Sequence, residues 1–369
     1  MKNTFFVFIL LFFSFVFNAQ TREFETVINL DATEVISQGK TGTCWSFSTS
    51  SFLESEIIRL TGKTINLSEM YNVRHTYPKK AWNYIMRQRK TQFSEGGLAH
   101  DVINSVSDFG LVPNEVYTGL NAGILNHNHS KMIDSLKKTL NTFIKHPKEY
   151  PSNWSKDVEQ ILDLYLGKDI TTFNYQGTEY TPKSFLEMTK INPNDYISIT
   201  SFTHKPYYEN FILNIPDNFS NGTFFNVKLE DMVDLANHAL KNGFTIELDC
   251  DVSEKTFSSK LGLAIIPNDN DKAIEALETI IPEKAITPEY RQQEFENYNT
   301  TDDHLMHITG ILKDQNGTVY YEVKNSWGKN SKRVKNGGYI YMSEAYFKLK
   351  TISIMVHKDA LTKKLRNKY

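Results

Sequence analysis

The sequence is poor in cysteine and has no excess of one charge sign, and each shortage excludes a class of protein. Only two of the 369 residues are cysteines, Cys44 and Cys250. Two thiols cannot build a disulfide-dense scaffold or a metal site that needs three or four thiolate ligands. The 41 Lys and Arg residues nearly balance the 43 Asp and Glu residues, which is not the pattern of a general nucleic-acid-binding protein. We therefore expect no nucleic-acid partner. The two thiols can form one disulfide, can both be buried, or can include one nucleophile.

Long apolar stretches are absent except at the N-terminus, which reads MKNTFFVFILLFFSFVFNAQ. Lys2 precedes the apolar run, and Ala19 places a small residue before the predicted cleavage point. This layout is typical of a secretory signal peptide, because the run is short and no stop-transfer charges follow it. We expect residues 1–19 to be removed and the protein to be secreted or periplasmic; a retained N-terminal anchor is the alternative. The sequence predicts no membrane span after this segment.

The spacing of apolar residues changes along the chain and predicts an α+β protein. Helical spacing dominates the first half, whereas short β-branched and aromatic runs begin near Tyr196. Such a division predicts two lobes with a cleft between them, within one catalytic unit over residues 20–369. The expected parts are a helical lobe over about 37–114, a helical insertion over about 115–190, a β-rich lobe over about 191–358 and a basic tail over 359–369.

Cys44 has the surroundings expected of a nucleophile. It follows a polar, glycine-containing loop and starts a helical pattern, with Gln38 six residues upstream. A helix N-terminus and a neighbouring imidazolium both lower the pKa of a thiol. Much later in the chain, His304 can supply the imidazole and Asn325 can orient it through its side-chain carbonyl. The amide of Gln38 and the backbone N–H of Cys44 can together stabilise an oxyanion.

These motifs resemble those of the papain-like cysteine peptidases, and within them the bleomycin hydrolase and aminopeptidase C branch. The main matches are Gln38-x5-Cys44-Trp45, Glu95-Gly96-Gly97, Asp303-His304 with a glycine six residues later, and Asn325-Ser326-Trp327-Gly328. Segments that favour this branch over papain itself include Leu67-Ser68-Glu69-Met70-Tyr71, Phe109-Gly110-Leu111-Val112-Pro113 and Cys250-Asp251-Val252-Ser253. The resemblance covers roughly residues 30 to 358 and keeps their order.

The resemblance implies a fold and four catalytic roles. The fold would be papain-like, with a helical N-terminal lobe, an antiparallel β-barrel-like C-terminal lobe and the active site in the cleft between them. Cys44 would be the nucleophile, and His304 the base and then the acid. Asn325 would orient the imidazole, and Gln38 would be the oxyanion donor. No cofactor and no metal are implied.

On the substrate side, the resemblance implies that the backbone of Gly96 and Gly97 pairs with an extended peptide, and that Trp45 and Trp327 line the site. The implied function is an exported cysteine peptidase of the aminopeptidase type, acting on peptides and able to form a homo-oligomer. In that branch the C-terminal arm lies in the cleft and its carboxylate holds the substrate amine; here the tail is short. The alternatives are an endopeptidase, an acyl transferase with the same triad, and a non-catalytic peptide-binding pseudo-peptidase.

Four other residues could compete for a functional role. Cys250 ends an apolar strand without a base motif, so we predict a structural role. His307 lies three residues after His304, and an odd offset in a strand places the two on opposite faces, so one alone can face the cleft. Without nearby carboxylates or thiols, His127 and His129 are predicted to lie in a solvated loop and to bind no metal. The basic C-terminal residues predict a solvated helix end.

Overall fold

The computed structural model describes residues 21–149, 153–330 and 332–369. The predicted signal peptide, residues 1–19, lies outside these ranges. In the described part of the chain, no helix is both long enough and apolar enough to cross a bilayer.

The first half of the described chain is mainly helical. It contains β1 (Phe24–Asn29), α1 (Cys44–Thr61), α2 (Glu69–Met86), α3 (Ala99–Phe109), α4 (Ser130–Lys145), α5 (Trp154–Leu166), the hairpin β2 (Phe173–Tyr175) and β3 (Thr178–Tyr180), and α6 (Pro182–Thr189). Apolar side chains from these helices form one core, which is the helical lobe of the protein.

Helix α1 lies at the centre of the molecule, because its side chains are buried from Cys44 to Ile57 on every face. A helix surrounded by protein needs small residues where other backbones approach it closely. Ser46 and Ser48 meet this need, and their hydroxyls donate to the carbonyl oxygens of Glu69 (2.7 Å) and Met306 (2.6 Å). The helix ends at Gly62, whose φ of 70° is favourable for glycine.

The second half of the chain is built on a large sheet with helices around it. Its strands are β4 (Tyr196–Thr200), β5 (Asn210–Ile212), β6 (Thr223–Asn226), β7 (Ile246–Cys250), β8 (Phe257–Ser258), β9 (Leu263–Ala264), β10 (His304–Asp314), β11 (Val319–Lys324), β12 (Tyr339–Ser343) and β13 (Thr351–His357). Its helices are α7 (Leu229–Lys241), α8 (Ala273–Glu278), α9 (Pro288–Glu296), α10 (Glu344–Lys350) and α11 (Lys363–Arg366).

The strand order is β5-β6-β4-β13-β7-β10-β11-β12-β9-β8, and β1 also pairs with β10. All described pairings in this sheet are antiparallel except β4 with β6 and β9 with β12. The α+β class with a helical lobe and a β-rich lobe is therefore confirmed, although the sheet is mixed rather than wholly antiparallel. Strand β10 lies between β7 and β11, and its first residue is His304.

Strand β10 contributes side chains to both lobes. Leu305 belongs to the core of the helical lobe, whereas Met306 and Ile308 belong to the core of the β-rich lobe. This alternation is the period of two that a strand requires. The N-terminal end of β10 therefore lies where the two lobes meet, and His304 lies there with it.

The basic tail ends in the short helix α11, whose lysine and arginine side chains are exposed as predicted, while its apolar residues pack on the β-rich lobe. The side chain of Leu365 is fully buried, and Lys364 pairs with Asp231 at 2.5 Å. The ring of Tyr369 meets the edge of Phe225 at a centroid distance of 5.2 Å. Apolar residues interleaved with the lysines dock the tail, while the charged side chains remain exposed to water.

Candidate active site

Cys44 is the first residue of α1 and follows the loop that begins near Ser37. Its side chain is 7% exposed, and the backbone N–H of Leu305 lies near its sulfur, where it favours the thiolate. As the first helical residue, its own N–H has no intrahelical acceptor. The nucleophile predicted from the sequence therefore contacts the residue next to His304, although 260 positions separate the cysteine from the histidine.

The imidazole of His304 is held by Asn325 at the end of β11. The His304 Nε2 to Asn325 Oδ1 distance is 2.8 Å, and the same oxygen accepts a bond of 2.7 Å from the backbone N–H of Ser326. Because Oδ1 can only accept, the proton of the neutral imidazole lies on Nε2 and leaves Nδ1 free to accept from a thiol. The half-buried indole of Trp327 lies over this pair, with a centroid distance of 4.9 Å to the His304 ring.

The side chain of Gln38 is fixed at both ends of its amide. Its Oε1 accepts a bond of 2.5 Å from the Ser326 hydroxyl, and its Nε2 donates to the carbonyl oxygen of Thr41 at 2.7 Å. An amide nitrogen has two hydrogens, so one remains available for a substrate oxyanion. Ser326 thus positions both Gln38 and, through its backbone, Asn325. Its place in the Asn-Ser-Trp-Gly motif was the only sequence signal for this supporting role.

The protonation expected from the sequence is not the one that the structure favours in the free site. We expected a lowered thiol pKa, but burial, with smaller contributions from Asp302, Asp217 and Asp249, raises the pKa of Cys44 to about 12. Burial likewise lowers the pKa of His304 to about 4, although its bond to Asn325 opposes that shift. Desolvation outweighs the helix N-terminus, because a charge on either group alone would be poorly hydrated in a buried place. Both pKa shifts favour the neutral forms of the thiol and the imidazole in the free site.

The predicted substrate-binding glycines lie together beside α1, but Trp45 has a different role from the one predicted. The indole of Trp45 is fully buried, and its Nε1 donates to the carbonyl oxygen of Glu95 at 2.9 Å. A Cβ added at Gly97 would lie 3.1 Å from that indole. Trp45 therefore packs against the segment Glu95-Gly96-Gly97, which we call the glycine segment, and is not exposed to a substrate. The small residues at Gly96 and Gly97 let the backbone lie close to this support.

Sequence reasoning missed a group of charged residues beside the glycine segment. The ammonium of Lys80 donates to the carbonyl oxygen of Gly96. The carboxylate of Asp217 occupies the position that a Cβ on Gly96 would need. Of these charged residues beside the glycines, Asp302 lies two positions before His304 and so adjoins the histidine motif. Asp217 lies in a loop without any pattern, and nothing in the sequence placed it in the cleft.

The competing residues make contacts other than those of the thiol–imidazole pair. His307 is fully buried against α1, and its Nδ1 lies 2.9 Å from the hydroxyl of Ser51. Cys250 is fully buried and pairs with His304 across β7 and β10; it forms no disulfide with Cys44. The solvated-loop prediction is wrong for His129, which is 3% exposed because its segment pairs with the loop before Cys44. The described residues contain no group of three His, Cys, Asp or Glu side chains suited to a metal.

Comparison with known proteins gives the family of the chain. The model of the Peptidase C1-like family matches residues 14–369. The chain belongs to this family. Aminopeptidase C of Listeria innocua is 23% identical over 90% of this chain and 82% of its own length. The mitochondrial cysteine proteinase 1 of Saccharomyces cerevisiae is 24% identical over 94% of this chain and 79% of its own.

A solved structure also shares the fold of this Peptidase C1-like protein. PepW from Lactobacillus rhamnosis HN001 superimposes with a TM-score of 0.72 at 19% identity, over 93% of this chain and 84% of that one. The resemblance that the motifs predicted is therefore confirmed, and so is the predicted fold class. The protein is a cysteine-type peptidase, and its substrates are peptides.

Proposed function

We propose that this Peptidase C1-like protein is a cysteine aminopeptidase that uses Cys44, His304, Asn325 and Gln38. The observation that carries the proposal is the 2.8 Å bond between His304 Nε2 and Asn325 Oδ1 beside a thiol at the start of α1. Aminopeptidase C and aminopeptidase G relatives, each at least 23% identical over 90% or more of this chain, support the aminopeptidase assignment.

The proposed reaction starts from the neutral pair. Nδ1 of His304 takes the thiol proton as the Cys44 sulfur attacks the peptide carbonyl, so that thiolate and imidazolium form together and each offsets the charge of the other. The free Nε2 hydrogen of Gln38 and the Cys44 N–H stabilise the oxyanion. His304 then protonates the leaving amine, and an acyl-enzyme forms. Water, deprotonated by the same imidazole, releases the acid and restores the thiol.

Digestion of a matched pair of peptides tests this proposal. The two peptides share one sequence of about ten residues, and one has a free N-terminus whereas the other is N-acetylated. We expect mass spectrometry to show stepwise loss from the free N-terminus and little cleavage of the acetylated peptide. Internal cuts in both peptides would instead support an endopeptidase. No cleavage of either peptide by folded protein would support the non-catalytic alternative and contradict the proposal.

We also propose that the protein is exported from the cytoplasm. The support is the segment of residues 1–19, in which Lys2 precedes an apolar run and Ala19 precedes the predicted cleavage point. Cell fractionation followed by N-terminal sequencing tests the proposal. We expect protein outside the cytoplasm that begins at Gln20. Full-length protein confined to the cytoplasm would contradict export.

A further inference from the structure

Three carboxyl groups from separate parts of the chain lie beside the nucleophile. The loop between β5 and β6 brings Asp217 over Gly96, where its Oδ1 accepts from Gln92 Nε2 (2.5 Å) and Ser94 Oγ (3.3 Å). Asp249 comes from β7, directly opposite Leu305 in the register of the sheet. Asp302 comes from the segment that leads into β10. We call these three residues the acidic subsite.

Two members of the acidic subsite, Asp249 and Asp302, have buried carboxyl oxygens that lack hydrogen-bond donors. Asp249 is fully buried, and neither its Oδ1 nor the buried Oδ2 of Asp302 accepts a hydrogen bond from any donor in the described residues. Burial raises the pKa of both carboxyl groups, and the charge of Asp302 raises the pKa of Asp249 further. Two neighbouring carboxyl groups in a buried place must share a proton or hold a cation between them. This arrangement points to a cationic ligand.

The acidic subsite is not neutralised by the neighbouring basic residue. Lys80 is 3% exposed and donates to the Gly96 carbonyl oxygen, and Asp217, Asp101, Asp302 and Glu95 all act on it electrostatically. One ammonium group therefore faces an excess of carboxyl groups. A cationic ligand would offset the remaining charge in a region where water cannot.

The position of the acidic subsite determines which part of a bound substrate it would contact. All three carboxyl groups lie close enough to Cys44 to disfavour its thiolate. They also border Gly96, in the segment proposed to pair with the substrate backbone. A peptide bound there would run from Cys44 toward the subsite, and a free N-terminus within reach would bring an ammonium group to it.

We propose that Asp217, Asp249 and Asp302 bind the α-ammonium group of peptide substrates and thereby restrict cleavage to bonds near a free N-terminus. This inference rests on the proposed aminopeptidase function and names the residues that recognise its substrate class. The described C-terminal tail does not supply this anchor, because Tyr369 packs on Phe225. The neighbouring Phe224 belongs to the core of the helical lobe, so the tail lies on the other face of the strand.

A bound ammonium group would also favour catalysis. In the free protein the three carboxyl groups add to the effect of burial in raising the pKa of the Cys44 thiol. A cation among them would offset that contribution, so a substrate with a free N-terminus would help to form the thiolate that attacks it. An N-blocked peptide would lack this assistance and would leave the buried carboxyl groups uncompensated.

Binding to the Cys44→Ala variant tests the ammonium site separately from hydrolysis. Isothermal titration would compare a free-amine peptide, its N-acetylated form, and an N-acetylated peptide with lysine as its first residue. We expect the free-amine peptide to bind about 10²-fold more tightly than the acetylated form, as for a buried charge pair. The lysine peptide distinguishes a side-chain ammonium from the α-ammonium and should bind no better than the acetylated form.

The same titrations with Asp249→Asn and Asp217→Asn added test the assigned residues. Each change preserves shape and removes charge, and we expect the preference for the free amine to fall about tenfold or more. Asp231→Asn is the matched control, since this buried carboxylate pairs with Lys364 and Tyr208 in the β-rich lobe. It should keep the preference. Asp217, on a loop and half-buried, remains informative if the Asp249 variant does not fold.

The results separate the two proposals. Equal affinities for the free and acetylated peptides, or a preference that survives in both folded Asp variants, would overturn the ammonium site even if the wild-type protein hydrolyses peptides. Preferential binding of the lysine peptide would assign the subsite to a side chain and would also overturn it. A preference for the free amine that depends on Asp217 would support the site even if the wild-type digestion shows no cleavage and the proposed function fails.

Discussion

Replacing Cys44 with alanine is expected to lower kcat/KM for peptide hydrolysis by about 10⁶-fold, to the level left by binding and the oxyanion donors alone. The thiol is buried at the start of α1, near the backbone of Leu305. Alanine fills the same space without the nucleophile, so the fold should persist. Initial rates with a free-amine peptide, measured alongside the thermal transition, would show the loss in a folded protein.

The matched control is Cys250→Ala. Cys250 is also fully buried, and it lies in the core of the β-rich lobe. Removing its sulfur leaves a small cavity that costs about 1–2 kcal/mol of stability, while kcat/KM should change less than threefold. If both variants, once folded, kept wild-type rates, neither thiol would be the nucleophile and the assignment to Cys44 would be wrong.

Replacing His304 with alanine is expected to lower kcat/KM by about 10⁴-fold or more, because the variant lacks the imidazole that is proposed to take the thiol proton. Without the imidazole, a thiolate forms only by loss of a proton to solvent, and burial raises the pKa of that thiol to about 12. The remaining rate should therefore rise with pH, about tenfold per unit, throughout the accessible range below that pKa. A pH series with folded variant protein measures this slope.

The control for this prediction is His307→Gln, at the other histidine of the same strand. His307 contacts Ser51 in the interior, whereas the side chain of Asn325 bonds to His304, and glutamine can keep a hydrogen bond to the serine hydroxyl. This variant should be less stable but should keep the wild-type pH profile. If a folded His307 variant lost most of its activity while His304→Ala remained nearly normal, His307 rather than His304 would be the general base.

The proposed catalytic residues could be selected from the sequence because each lies in a short motif with its own chemistry. The polar loop, Gln38, Cys44 and the helical pattern after it occur together, and His304 and Asn325 each begin or end a β-rich run. Local patterns of this kind determine where a helix starts or a strand ends. The pairing of distant motifs came from the family resemblance, and the register of β10 with β7 and β11 shows how the sheet positions His304.

What the sequence did not show depends on burial and on long-range packing. The pKa directions of Cys44 and His304 reverse the expectation because the depth of the site, unlike a helix N-terminus, has no local signature. Trp45 adjoins the nucleophile in sequence, yet as a helical residue it points under the glycine segment. Asp217 enters the cleft on a loop whose path depends on strands β5 and β6. An isolated aspartate in a loop gives no periodic signal from which this could be predicted.

The most direct test of the central claim is to map the residue that forms the covalent intermediate. Protein treated with an epoxide inhibitor of cysteine peptidases, or mixed with a slow ester substrate and quenched in acid, would be digested and analysed by mass spectrometry. The account predicts one added group, carried by the peptide that contains Cys44, with Cys250 unmodified and activity lost in proportion to labelling. Labelling confined to Cys250, or full activity after Cys44 is completely modified, would contradict it.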